Sequence, residues 1–126
     1  MRSPVATLWP TLYVHAQFSP GSILEVPPDH EERAVYVVHG DLAVGDQPVT
    51  AGELAVFEPG TAIELRAHGS ARAMLLGGGR FPTPRYIWWN FVASSQERID
   101  RAKQRCEQRQ FPAVPGETEF IPLPTY

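Results

Sequence analysis

Proline and glycine interrupt this chain so often that no long regular element fits ahead of residue 93. The 126 residues include 13 prolines and 10 glycines, among them Pro20-Gly21, Pro27-Pro28, Gly40, Gly45, Gly52, Pro59-Gly60 and Gly69. Proline fixes φ and cannot donate to a ladder, while glycine accepts the positive φ of tight turns. Between these breaks lie short runs of β-branched, aromatic and aliphatic residues. The spacing predicts strands over 11–18, 23–26, 33–38, 42–44, 54–57, 62–67 and 71–76, with Val49-Thr50 leading into a turn at Ala51-Gly52-Glu53. In the first of them Leu12, Val14 and Ala16 alternate with Tyr13, His15 and Gln17. Short strands parted by regular turn signals are the mark of an all-β sandwich or barrel. Gly77-Gly78-Gly79 predicts a bend or a close approach of backbones.

One helix is expected, over about 95–110. Ser94 and Glu97 have the S-x-x-E spacing of a capping box, and Ile99, Ala102 and Cys106 recur at helical intervals. So narrow an apolar stripe suits a helix on the outside of a barrel. Phe111-Pro112 ends it, and the strap over 111–126, with four prolines, is predicted to run extended, anchored by Phe120, Ile121 and Leu123. In the apolar run 85–92, Trp88 and Trp89 are adjacent, so on one strand they face opposite sides.

Composition excludes several functions. A net charge of −3 offers no clustered basic surface for nucleic acid, and no apolar run reaches the roughly 20 residues that span a bilayer. Pro4 and Pro10 break any signal-peptide core, and the one cysteine, Cys106, has no internal partner, so the expected location is the cytoplasm. There is no G-x-S-x-G elbow, the glycine run lacks the lysine and Ser/Thr of a phosphate loop, and Cys106 falls on the packed helix face, where a thiol is inert. At 43% hydrophobic and 20% charged residues, the chain reads as one ordinary globular domain over 1–126.

The run Arg85-Tyr86-Ile87-Trp88-Trp89-Asn90-Phe91-Val92, the segment Ala93-Ser94-Ser95-Gln96-Glu97 and the tail Phe120-Ile121-Pro122-Leu123-Pro124 follow in that order. Together they resemble the C-terminal end of bacterial pirin-like proteins, and Thr7-Leu8-Trp9-Pro10-Thr11-Leu12-Tyr13 resembles the start of the same domain. The resemblance implies an all-β fold, a cupin (RmlC-like jelly-roll) β-barrel over about 5–92, with one C-terminal surface helix and an extended proline-rich tail. Pirins are two-domain cupins that bind iron in the N-terminal domain. The family includes iron-dependent enzymes that open flavonols with dioxygen and, in animals, a nuclear coregulator. This chain resembles the other domain alone.

Within that resemblance, Gly40 fits the turn glycine of the first cupin motif, which puts Arg33 where a glutamate ligand stands. The histidine slots fall on Val26 and Pro28, or on Pro27 and Asp29. Gly52 and Gly60 fit the second motif, with Glu58 in a proline slot and Ile63 in the last histidine slot. A divalent metal needs converging N, O or S donors, and arginine has no lone pair to give. The usual metal site is therefore expected to be missing, and no cofactor is expected. His30 and Glu32, in Asp29-His30-Glu31-Glu32, form the weak alternative metal pair; a solvated acidic loop is the plainer reading.

Strand alternation puts Arg33, Val35 and Val37 on one face, which the motif fit turns into the barrel. A buried guanidinium needs a partner, and Glu25, Glu58 and Glu64 are the candidates. Two readings stand. Arg33, with Glu58 and Tyr36, holds a small anionic or aromatic ligand, or Arg33 forms a structural ion pair in place of the lost metal. Trp88, Trp89 and Phe91 are the candidate interface for a homodimer or a separate partner protein. The expected function is a non-catalytic binding or oligomerisation module. The alternative is a small cupin enzyme or ligand sensor using the barrel cavity, with quercetin 2,3-dioxygenase-like activity as its family version.

Overall fold

A computed structural model describes residues 3–125. The chain divides into two compact units, Met1–Arg80 and Phe81–Tyr126.

Among its described residues the first unit contains eight strands: β1 (Thr11–Phe18), β2 (Ile23–Val26), β3 (Glu32–His39), β4 (Asp41–Val44), β5 (Gln47–Thr50), β6 (Leu54–Val56), β7 (Ile63–Ala67) and β8 (Ala71–Gly78). They pair antiparallel in two four-stranded sheets, ordered β1-β8-β3-β6 and β2-β7-β4-β5. The chain crosses repeatedly between the sheets, which is the jelly-roll arrangement. Alternation along each strand fills the space between them: Val35 and Val37 from β3, Ala73 and Leu75 from β8, Leu42 from β4 and Leu65 from β7 are all buried.

The bounds of β1 and β2 fall where the sequence spacing puts them, because Pro20-Gly21 and Pro27-Pro28 close both strands. By contrast, β8 runs two residues past the expected end at Leu76. It is paired on both sides, with β1 and β3, and the neighbouring backbones come very close at its last turn of pleat. A Cβ at Gly77 would overlap the Glu32 carbonyl oxygen, and one at Gly78 the Pro10 carbonyl oxygen. The glycine run is thus a site of close backbone approach inside a strand. A bulge between Val37 and His39 shifts the β3–β8 register, and Gly40 then turns the chain with φ of 72°.

In the second unit, β9 (Tyr86–Trp88) and β10 (Phe91–Ala93) form a hairpin followed by α1 (Gln96–Glu107). The aromatic run is therefore two strands and not one. Trp89, at φ of 51°, sits in the two-residue turn, so it does not alternate with Trp88 as expected. The cap is also displaced by one residue. Ser95, not Ser94, is extended at φ −152° and ψ 155°, and its side chain accepts from the Arg98 N–H at 3.4 Å. No capping box forms, and Glu97 instead accepts from the Arg101 guanidinium at 2.7 Å.

Ile99 and Cys106 are the buried residues of α1. The helix ends in a Schellman motif with an arginine in the glycine position. Arg109 takes φ of 53°, its N–H bonds the Cys106 carbonyl, and the Gln110 N–H bonds the Arg105 carbonyl. Of the three expected strap anchors, Leu123 is half-buried and Phe120 lies under the Arg109 guanidinium at 4.5 Å. Ile121 is 71% exposed and anchors nothing. Among the described residues, no helix is long and apolar enough to cross a membrane.

Candidate functional site

Arg33 is the charged residue buried in the jelly roll, at 2% exposure. Its place on β3 follows from the Arg33-Val35-Val37 alternation, and its side chain extends to the end of the sandwich where β2–β3 and β6–β7 connect. There Nη1 donates to the carbonyls of Val26 at 3.4 Å and Pro27 at 3.0 Å. Nη2 donates to the carbonyls of Glu58 and Thr61, both at 2.8 Å. All four terminal N–H groups are thereby used, while the buried Nε has no partner. The guanidinium also lies 5.8 Å from the centre of the Phe57 ring.

The partners differ from those expected. Among the described residues, no carboxylate reaches Arg33. Glu58 contributes its backbone carbonyl, and its side chain is exposed. Glu25 and Glu64 face each other across β2 and β7 on the outer surface, where Glu64 pairs with Arg66. Backbone carbonyls carry no side-chain signature, so nothing in the sequence marked Val26, Pro27 and Thr61 as acceptors. Tyr36, on the other face of β3, is 39% exposed and looks away from Arg33.

This donor set does not fit a metal ion. Its oxygens are carbonyls already spent on a fixed cation, and a guanidinium repels a second positive charge. His30 is half-buried in the β2–β3 connection. Its acidic neighbours serve Arg80: Glu31 accepts from the Arg80 N–H at 3.1 Å, and Glu32 lies 3.9 Å from Nε of the same residue. Among the described residues, no three His, Cys, Asp or Glu side chains converge.

A second concavity of the jelly roll went unnoticed in the sequence. A cleft of about 440 Å³ is lined by Gln17, Ser19, His39, Ser70 and Arg72 above Phe18 and Ala71. The β3 bulge sets His39 opposite Arg72, and both residues line the cleft.

In the hairpin–helix unit, the candidate interface residues make one aromatic cluster. Trp88 stacks on Phe91 at 6.3 Å, Trp89 meets Phe91 edge-on at 5.8 Å, and Phe91 stacks on Phe111 at 5.9 Å. Lys103 places Nζ 4.0 Å from the centre of the Trp88 ring. All three candidates are half-buried. More exposed than these are the cross-strand pair Ile87 and Val92, at 72% and 63%, and Tyr86 at 42%. Ile87 and Val92 were visible as apolar residues in the sequence; only the hairpin turn shows that they share the outward face.

Comparison with known proteins gives this arrangement a context. The family described as the pirin C-terminal cupin domain matches residues 13–112. A pirin-like protein of Caulobacter vibrioides is 37% identical over 125 residues, covering 98% of this chain and 43% of that protein. The crystal structure of a quercetin 2,3-dioxygenase from Acinetobacter baumannii matches with a TM-score of 0.84 at 25% identity, over 98% of this chain and 43% of that one. Another quercetin 2,3-dioxygenase structure from the same organism matches at 0.81 with 18% identity, over 90% and 41%. The chain spans less than half the length of these relatives.

Proposed function

The chain belongs to the pirin family, as its C-terminal cupin domain, and from that premise we propose that it acts as a non-catalytic binding or assembly module. The observation that carries this reading is the state of Arg33. It stands in the slot that the first cupin motif gives to a metal-binding glutamate, and its four terminal donors are all committed to carbonyls at the end of β2 and in the two connections β2–β3 and β6–β7. A group so fully engaged closes the end of the barrel and has no hydrogen bond left for a substrate except through Nε. On this reading the barrel is metal-free and serves as scaffold. Function then lies on the hairpin, where Ile87 and Val92 offer an apolar face for a second copy or a partner protein. The single cysteine, buried on α1, suits the cytoplasm.

The competing reading is quercetin 2,3-dioxygenase-like activity, favoured by the names of the solved relatives. It requires ligands other than the usual cupin set, and His30 and Glu32 are the residues it would call on. Incubating the purified chain with iron(II), then measuring bound metal and quercetin-dependent oxygen uptake, separates the two. The module reading expects far less than one iron per chain and no uptake. One iron per chain together with uptake would sink it.

A further inference from the structure

A cleft of about 410 Å³ lies between β10 and α1, wholly inside the hairpin–helix unit. Its floor is apolar: Phe91, Ile99, Ala102 and Phe111. Its rim carries three arginines, Arg98, Arg101 and Arg105, with Asn90 from the turn and no acidic side chain. The three cations recur along one side of α1, at steps of three and four residues, so the helix repeat brings them to the same opening. In a chain of net charge −3, that local concentration draws anions against the global field.

The arginines are not equally engaged. Arg101 donates to Glu97 at 2.7 Å. Arg105 places its guanidinium carbon 4.6 Å from the centre of the Phe111 ring, and one Nη donates to the Gln110 carbonyl at 3.5 Å, which leaves its other donors uncommitted among the described residues. The Arg98 guanidinium has no hydrogen bond or ion pair among the described residues, so its donors are open to a ligand. Phe91 and Phe111 stack on each other at 5.9 Å with an interplanar angle of 28°, and the edges of that pair give an apolar body something to pack against.

We infer that this cleft binds a small aromatic carboxylate, its ring against Phe91 and Phe111 and its carboxylate on Arg98 and Arg105. A planar guanidinium matches a carboxylate in two-point fashion, and a cleft of a few hundred Å³ with an apolar floor and few polar groups is the usual form of a small-ligand site. The site is separate from the barrel end and stands whatever the barrel does.

The test is a titration of the whole chain with 2-naphthoate, followed by amide NMR shifts and calorimetry. Shifts centred on Phe91, Ala102 and Phe111 are expected. The neutral analogue 2-naphthamide should bind at least roughly tenfold more weakly, as should inorganic phosphate, which lacks the ring. Arg98→Gln should weaken naphthoate by roughly tenfold, with the helix signal in circular dichroism unchanged because Arg98 is exposed. No naphthoate binding at millimolar concentration overturns the inference. So does amide or phosphate binding as tight as naphthoate, or shifts centred elsewhere. The comparison of ligands needs no variant, so it decides the matter even if Arg98→Gln fails to fold.

Discussion

In the jelly roll Arg33 is buried to 2% exposure among carbonyls, and among the described residues its charge meets no carboxylate. In the hairpin–helix unit four cations lie over ring faces: Arg85 on Phe81, Lys103 on Trp88, Arg105 on Phe111 and Arg109 on Phe120, at 4.0 to 4.6 Å. The first arrangement spends every terminal donor internally, and its geometry is fixed by two connections at once. The second uses attraction to a ring face; Arg85 also donates to Thr83 and Pro84 and Arg105 to the Gln110 carbonyl, while the remaining N–H groups are uncommitted among the described residues. A buried cation with saturated donors is a fastener. An exposed cation on an aromatic ring is a covering that can still take a ligand. Charge type therefore says little about role; the number of uncommitted donors says more.

The contrast breaks most visibly at Arg33. Replacing it by methionine keeps the apolar stem but leaves four carbonyls at the barrel end without their donor. Unsatisfied buried groups cost about 1–3 kcal/mol each, partly relieved by water entering the connections. Arg33→Met is therefore expected to lose about 3 kcal/mol or more, read as a lower midpoint in urea with the slope unchanged. An unchanged or higher midpoint would show that the guanidinium is tolerated and not required, and the fastener would dissolve as an idea.

The sequence was readable where proline, glycine and strand alternation decide structure, though the local S-x-x-E spacing misplaced the helix cap by one residue. Pro20-Gly21 and Pro27-Pro28 end β1 and β2 because φ preferences act without help from neighbours. The burial of Arg33 follows from period-two alternation, and the cupin frame was visible in Gly40, Gly52 and Gly60, all of which take positive φ. What stayed hidden depends on contacts between distant residues. Gly77 and Gly78 look like a strand end, yet they continue β8 because Glu32 and Pro10 press against them. Trp89 is not a turn residue by propensity; in the fold its ring meets those of Trp88 and Phe91, contacts that accompany its positive φ. The acceptors of Arg33 are backbone atoms of four residues, one at the end of β2 and three in two separate connections, a pattern no side-chain motif encodes.

A smaller effect sharpens the second half of the comparison. If the hairpin–helix unit is held by local contacts, losing one of them should cost about what that contact is worth. Ser95 caps α1, so Ser95→Ala is expected to cost about 1 kcal/mol, whereas Ser94→Ala should stay within about 0.5 kcal/mol. The pair differs by one position and separates the observed cap from the one that the S-x-x-E spacing suggests. Thermal unfolding followed by the helix signal reads both. Equal losses, or a larger one at Ser94, would return the cap to Ser94.

The smallest expected effect tests whether a ring-bound cation is a fastener after all. Lys103 is half-buried, with Nζ 4.0 Å from the Trp88 ring centre and no acidic partner among the described residues. Attraction of this kind is worth about 0.5–1 kcal/mol at partly exposed sites, so Lys103→Ala should lose about that much and shift the tryptophan emission. Salt adds a second reading. Exposed charge pairs weaken over a Debye length of about 3 Å at 1 M, but a cation in contact with a ring face is shielded by the ring itself. The loss should therefore persist in 1 M salt. A loss as large as that of Arg33→Met would mean that both regions are fastened by their cations, and the contrast between them would fail. No loss at all would reduce the Lys103–Trp88 contact to proximity, leaving the aromatic stack of Trp88, Phe91 and Phe111 to hold the unit by itself.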